Sequence, residues 1–419
     1  MLQHQIIKKS KNPHIIGTIA AELPLTDNEE EFLFSFLSAE DNKIAFIQGY
    51  IGQKAFKSGN TWIKEVVNKA LSKKWAPIKI VNLFLALPQN RKVWNLLEKF
   101  DVQIQEEYWR KVQPRFFDSP PKDKIYGLEK LMNIKRHFTA LDTAAMFAKE
   151  LSPKLIAELL GKTALEKNID DFHVDPWNIE QLFEILDKSD EIETDKIAEL
   201  EWLYLPILAR VGSGRPPKML HQQLSNDPQF FAEVIKWIYK PKNNKEEKED
   251  LPKELKEQRA RLAFELLNTW KTVLGSDSND RIDYQKLKSW VDKAREFCKK
   301  LDRLEVCDTH IGQVLAHAIP DEDGNWPPEE VCKVIEEIRS KELDEGFIVG
   351  VHNKRGVITK SLFEGGEQER ALARQYQEYA NKWAIQFPRT SEILRKIAKD
   401  YESEAKREDK EAERREIEW

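Results

Sequence analysis

Five apolar side chains, Phe230, Phe231, Val234, Ile235 and Ile238, follow Asp227-Pro228 at the 3.6-residue period of a helix with one buried face. The dipeptide supplies the start: an aspartate that can cap free N–H groups, then a proline at the first helical position, where its missing N–H costs nothing. Ser152-Pro153 and Asp175-Pro176 repeat this punctuation. Leu155, Ile156, Leu159 and Leu160 follow the first; Ile179, Leu182, Phe183 and Leu186 follow the second, so each predicts another amphipathic helix. Short connections rich in Pro, Gly, Asn or Asp separate such stretches, at 58–60, 87–90, 118–121 and 212–217. Links of this length make antiparallel helical hairpins. Stacked hairpins need neighbours to cover their apolar faces, which predicts an all-α, degenerate α-solenoid of HEAT- or TPR-like hairpins without a clean fixed period.

The pattern changes texture in three places. Residues 241–256 are charged, carry two prolines and have almost no apolar side chains, the composition of a linker or exposed loop. Residues 275–280 read as a turn and 319–328 as a second irregular stretch. The expected organisation is an N-terminal helical-hairpin array over 1–240, the linker 241–256, a helical region 257–320 and a C-terminal region 321–419. In the last of these, β-branched residues flank Asn353, Lys354, Arg355 and Gly356, so 345–360 is read as a small β-hairpin or an irregular element. Beyond Gly365-Gly366, Leu372, Tyr376, Tyr379 and Trp383 line one face of a long helix, which Pro388 ends. Ile393, Leu394, Ile397 and Tyr401 mark its partner, which fades into the charged stretch 402–418 and completes a long C-terminal helical pair.

A chain of 419 residues exceeds the ~250–300 at which one core stops growing, so it is multidomain or elongated. Only three cysteines occur, which points to a reducing, cytoplasmic setting. Residues 1–13 are polar and basic and lack the apolar core of a signal peptide. The apolar run 78–87 is interrupted by Lys79 and Asn82 and falls far short of the ~20 residues that cross a bilayer, so no membrane is expected.

No HExxH, Walker A, GxSxG or paired CxxC motif occurs. The sharpest cluster is Cys307, His310 and His317, which share one side of a helix and form a weak candidate metal set, with Cys298 and Cys332 as conceivable additions. Their alternative role is ordinary helix packing beside Val306, Ile311, Val314 and Leu315. The segment 212–215 lacks the Lys-Ser/Thr of a phosphate loop and reads as an interhelical turn. His137 and His173 have no triad partner in view. No catalytic residue and no cofactor are assigned.

Charge is more informative. Residues 53–136 hold 18 Lys or Arg against 8 acids, a local +10 in a chain whose net charge is -5. Aromatic residues interleave with these charges, so Trp75, Tyr108, Trp109, Arg110 and Arg115 are the expected surface contacts, to a protein partner or to nucleic acid. The alternative is that the aromatics are core and the lysines a solvated face.

The residues Gly346-Phe347, Asn353 to Gly356, Glu364 to Arg370, Tyr376, Ala380, Pro388-Arg389, Ala398 and Tyr401-Glu402 carry a resemblance. The run resembles the C-terminal region of large, poorly characterised bacterial proteins associated with regulatory or antiphage-defence loci. Tyr108-Trp109-Arg110 and Leu224 with Asp227 to Phe231 are similar to the helical region that precedes it in those proteins. The resemblance implies a recognition or scaffolding part of a larger assembly, with any effector module elsewhere; it carries no catalytic residue, and within it Arg355 is a candidate to present a fixed charge, the alternative being that the turns at 353–356 and 365–366 are structural. The expected function is therefore a non-enzymatic helical scaffold or sensor that binds a protein partner. A nucleic-acid module using 53–136, or a nuclease or protease with scattered site residues, is the rival.

Overall fold

The three proline-led start signals operate as the local chemistry requires. Asp227 accepts from the N–H groups of Gln229 (2.9 Å) and Phe230 (3.2 Å), Ser152 from Leu155 (3.3 Å) and Asp175 from Trp177 (3.0 Å). Behind each cap the expected stripe turns inward, with Ile156, Leu159 and Leu160, then Ile179, Leu182 and Phe183, then Phe231, Val234 and Ile235 all buried. These features belong to a computed structural model. It describes residues 10–39, 42–116, 119–166, 175–209, 214–243, 251–275, 281–356, 358–361 and 364–418.

The described residues form α-helices joined by turns and contain no strand, so the all-α expectation is met. No helix among them is long and apolar enough to cross a membrane. The chain divides into two compact units, 1–193 and 194–419.

The first unit holds α1 (Pro13–Ala20), α2 (Asp27–Phe34), α3 (Asn42–Ser72), α4 (Pro77–Ala86), α5 (Arg91–Leu97), α6 (Val102–Lys111), α7 (Pro121–Asn133), α8 (His137–Ala145), α9 (Pro153–Ala164) and α10 (Pro176–Asp187). Gly59, at φ +62°, interrupts α3 where a turn was expected, a backbone state that favours glycine. The heaviest packing sets α1 against α3 and α4 against α6, each pair skipping the helix between; neighbours also pack, α3 on α4, α7 on α8, α8 on α9 and α9 on α10.

The second unit holds α11 (Thr194–Leu203), α12 (Leu205–Leu208), α13 (Lys218–Asn226), α14 (Pro228–Ile238), α15 (Lys253–Thr269), α16 (Tyr284–Lys300), α17 (Leu304–Leu315), α18 (Glu329–Ile338), α19 (Lys341–Lys354), α20 (Glu367–Trp383) and α21 (Pro388–Glu418). One continuous apolar core runs through it, from Ala198 and Leu224 through Trp270, Trp290 and Ile311 to Trp383 and Tyr401. The long C-terminal pair is present as α20 and α21, with Tyr376 and Tyr401 stacked at 5.6 Å.

The hairpin expected in 345–360 is corrected: through Lys354 this stretch is helix α19, capped by Ser340 at the Leu343 N–H. Its glycines explain the misreading. Gly346 and Gly350 lie one turn apart against α17, where a Cβ on Gly346 would sit 2.1 Å from the Thr309 carbonyl oxygen. A Cβ on Gly312 of α17 would sit 2.1 Å from that of Leu343. The glycines bring two helix backbones into contact, a use that alternation of residue types does not announce.

Residues 244–250 of the expected linker lie outside the described residues, but its first residues are fastened down. The Lys242 N–H donates to the Asp302 carbonyl (3.0 Å), the Asn243 N–H to Asp302 Oδ2 (2.7 Å) and Arg303 Nε to the Tyr239 carbonyl (2.7 Å). The divide near 240 expected from composition therefore falls inside the second unit.

Candidate functional site

Two of the expected contact residues are core. Tyr108 and Trp109 are buried, with Trp94 Nε1 donating to Tyr108 Oη at 3.0 Å and the Trp94 and Trp109 rings 5.3 Å apart. As surface anchors they are corrected: α6 turns both inward because their ring area gains more against Trp94, Phe116 and Tyr126 than in water. Trp75 is half-buried, one side on Phe34 (5.3 Å) and the other under the Lys79 ammonium (5.0 Å). Arg110 is exposed and leans on Glu106 (3.1 Å). Arg115 is exposed on a loop held by Gln89, whose Oε1 accepts the Arg115 N–H at 2.7 Å while its Nε2 donates to the Gln113 carbonyl at 2.8 Å.

Arg355 is not a presented charge, and that expectation is also corrected. Its side chain is 14% exposed and paired with the fully buried Glu369, which also takes Lys360 at 2.7 Å. These cations hold the Glu369 carboxyl below its ordinary range against the opposing pull of burial. The cluster ties the turn after α19 to α20 and α21 through Glu404 (3.6 Å from Arg355) and Glu408 (3.2 Å from Lys360).

The basic segment 53–136 is partly neutralised in three dimensions. Lys57 pairs with Glu22, Lys69 with Glu31 (3.4 Å) and Lys124 with Glu150 (2.7 Å), three acids that lie outside the segment. Lys111 pairs with Glu107 (2.9 Å), and Arg136 is spent on the carbonyls of Trp109 (2.8 Å) and Val112 (2.7 Å).

Cys307, His310 and His317 do not converge. Cys307 is buried against Cys298, and that contact and burial push its thiol well above the ordinary range. The Tyr239 hydroxyl lies 2.8 Å from His310 Nε2, and burial lowers His310 to about 4, so the imidazole is neutral at pH 7. Among the described residues no three His, Cys, Asp or Glu side chains are grouped to hold a metal ion. His173 and residues 212–213 lie outside the described residues.

The open concave surfaces lie elsewhere. In the first unit a cleft of about 730 Å³ is lined by His14, Gln48, Asn90, Lys111 and Arg115 among others, so Arg115, an expected contact residue, borders a cavity. In the second unit a cleft of about 820 Å³ lies between α13 and α16. Lys218, Gln222 and Asn226 line it from α13; Lys286, Ser289 and Lys293 line it from α16. Among the described residues no carboxylate lines it, and Lys286 and Lys293 form no ion pair.

Buried chemistry positions both walls. Lys218 opens α13, whose third residue, Leu220, donates its N–H to Glu201 Oε2 at 2.9 Å. The other Glu201 oxygen takes Arg215 Nη2 at 2.6 Å, and both side chains are sealed from water. Further along α13, Ser225 Oγ accepts from Trp270 Nε1 (3.1 Å) and donates to the His221 carbonyl (2.9 Å). His221 Nε2 sits 3.1 Å from Thr269 Oγ1, and burial lowers this imidazole to about 4.

On the other wall Leu287, Trp290, Val291 and Ala294 face the core, with Trp290 against Phe231 (5.1 Å) and Trp270 (6.0 Å). That leaves positions 286, 289 and 293 outward on one face at helical spacing. Gly275, at φ +73°, seats the connecting loop: its carbonyl accepts the Asp283 N–H at 2.9 Å, and a Cβ there would lie 2.7 Å from the Leu287 nitrogen. Sequence reasoning missed this cleft because its lysines come from helices about seventy residues apart and nothing in their local pattern announces the meeting.

No protein-family model matches the chain, and no curated protein or solved structure is similar to it.

Proposed function

We propose that this chain is a helical binding protein rather than an enzyme, acting as a scaffold or sensor for a partner within a larger assembly. One observation carries the reading. Cys307, His310 and His221 are packed and neutral, while the α13–α16 cleft is open and presents ammonium, amide and hydroxyl groups. Packing of α7 on α8, α8 on α9 and α9 on α10 supports stacked hairpins in the manner of a degenerate HEAT- or TPR-like array. The cytoplasmic setting and the bacterial defence context suggested by the resemblance belong to this same reading. The nucleic-acid route through 53–136 is the weaker one, since Glu22, Glu31 and Glu150 take up part of its charge.

The test is affinity capture of the full chain from its native host, with mass spectrometry of what co-purifies. A stoichiometric complex that survives gel filtration is expected. Recovery of the lone, monomeric chain under every condition would count decisively against the reading.

A further inference from the structure

We propose that the cleft between α13 and α16 takes a chain of phosphates, such as the backbone of a single nucleic-acid strand. The inference rests on the binding-protein reading and names the ligand chemistry of its open cleft.

Four features converge. Lys286 and Lys293 bring two positive charges from α16 to one concavity that Lys218 borders from α13, and among the described residues neither of the two is paired with an acid. All three are lysines. An ammonium is a compact point charge with three rotatable donors, of the kind that binds phosphate oxygens. Lys286 and Lys293 stand seven residues apart on α16, roughly 10.5 Å along the helix axis, which is more than one phosphate spans and favours a ligand with repeated charge. Gln222, Asn226 and Ser289 supply neutral donors of the kind that contact phosphate and sugar.

The aromatic side of the cleft sets what it does not do. Trp290 is 6% exposed and committed to Phe231 and Trp270, so it offers no face for a base to stack on. The grip is on the backbone and is insensitive to base sequence. The first turn of α16 also borders the cleft through Gln285 and Lys286, and the positive end of the helix dipole adds to the field there.

The experiment uses the full chain and a fluorescently labelled oligothymidylate, with binding followed by anisotropy across a salt series. Inorganic tripolyphosphate and polyglutamate serve as competitors. Two ammonium–phosphate contacts to a single strand, from Lys286 and Lys293, give a slope of log affinity on log salt of about −1.4. Lys286→Ala with Lys293→Ala lowers affinity by about ten-fold or more and flattens that slope by about 1.4, with unchanged circular dichroism. Lys64→Ala, an exposed lysine of α3, leaves binding as it was.

Binding of the oligonucleotide in preference to tripolyphosphate identifies a nucleic-acid strand; the reverse preference identifies a free polyphosphate. Either outcome supports a phosphate-chain site. Failure of both probes to bind, equal binding by the double variant, or charge-for-charge displacement by polyglutamate overturns it. Host capture with the same double variant separates the two levels. A partner retained while the phosphate probes fail sinks this inference alone, and no partner even for the unmodified chain sinks the reading beneath it.

Discussion

Glu201 has no solvent exposure, and neither oxygen of its carboxylate is idle: one closes on Arg215, the other on the first turn of α13. Removing one partner of a buried pair costs more than the pair contributes, because the remaining charge stays desolvated. Glu201→Ala is expected to destabilise the protein by about 3–5 kcal/mol, measured by urea unfolding. A loss below about 1 kcal/mol would show that the pair is hydrated in solution. His221 and His310 give a second test at this scale. Each binds its proton less readily folded (about 4) than unfolded (6.5), so stability falls as pH drops through that window. The loss approaches about 1.4 kcal/mol per pH unit for each fully sealed imidazole. Urea midpoints at pH 7 and pH 5 should therefore fall further for the unmodified chain than for His310→Gln. Parallel falls would mean that His310 is not sealed.

At the scale of elements, the same substitution has opposite signs in two helices. Alanine is the better helix former by about 1 kcal/mol, and at Gly52 in α3 its Cβ would meet only the Ala86 carbonyl at an ordinary 3.6 Å. Gly52→Ala is expected to raise the melting temperature. Gly346→Ala places a Cβ 2.1 Å from the Thr309 oxygen and forces α17 and α19 apart, so a loss of about 2 kcal/mol or more is expected despite the better propensity. Thermal melts of the two variants decide the point; a Gly346→Ala protein as stable as its parent would mean the crossing is looser than described. The contrast also shows what the sequence made legible. Caps, prolines and apolar stripes are local, and they located α9, α10 and α14 with the correct inward faces. The Gly346–Gly350 spacing acquires its meaning only from the Thr309 and Gln313 backbone opposite. Tyr108, Trp109 and Arg355 were misread for the same reason, since a basic neighbour in sequence says nothing about which partner lies across the fold. Lys218 and Lys293 were invisible as a pair.

For the whole molecule, composition and packing divide the chain at different places. A charged composition such as that of 241–256 does not make a divide when the chain on either side packs into one body. Residues 239–243 are bonded to Asp302 and Arg303, and apolar contacts continue from α14 into α15 and α16. The chain divides into its two compact units at 193/194 instead. The second unit keeps a complete core when considered alone, since its buried cluster from Ala198 to Tyr401 draws on no residue before 194. Residues 194–419 expressed by themselves are therefore expected to be helical by circular dichroism and to melt in one cooperative transition. They should also carry the α13–α16 cleft with them and bind the phosphate probes as the full chain does. A fragment without a cooperative melt would show that the second unit borrows its stability, and the division at 193/194 would have to be abandoned.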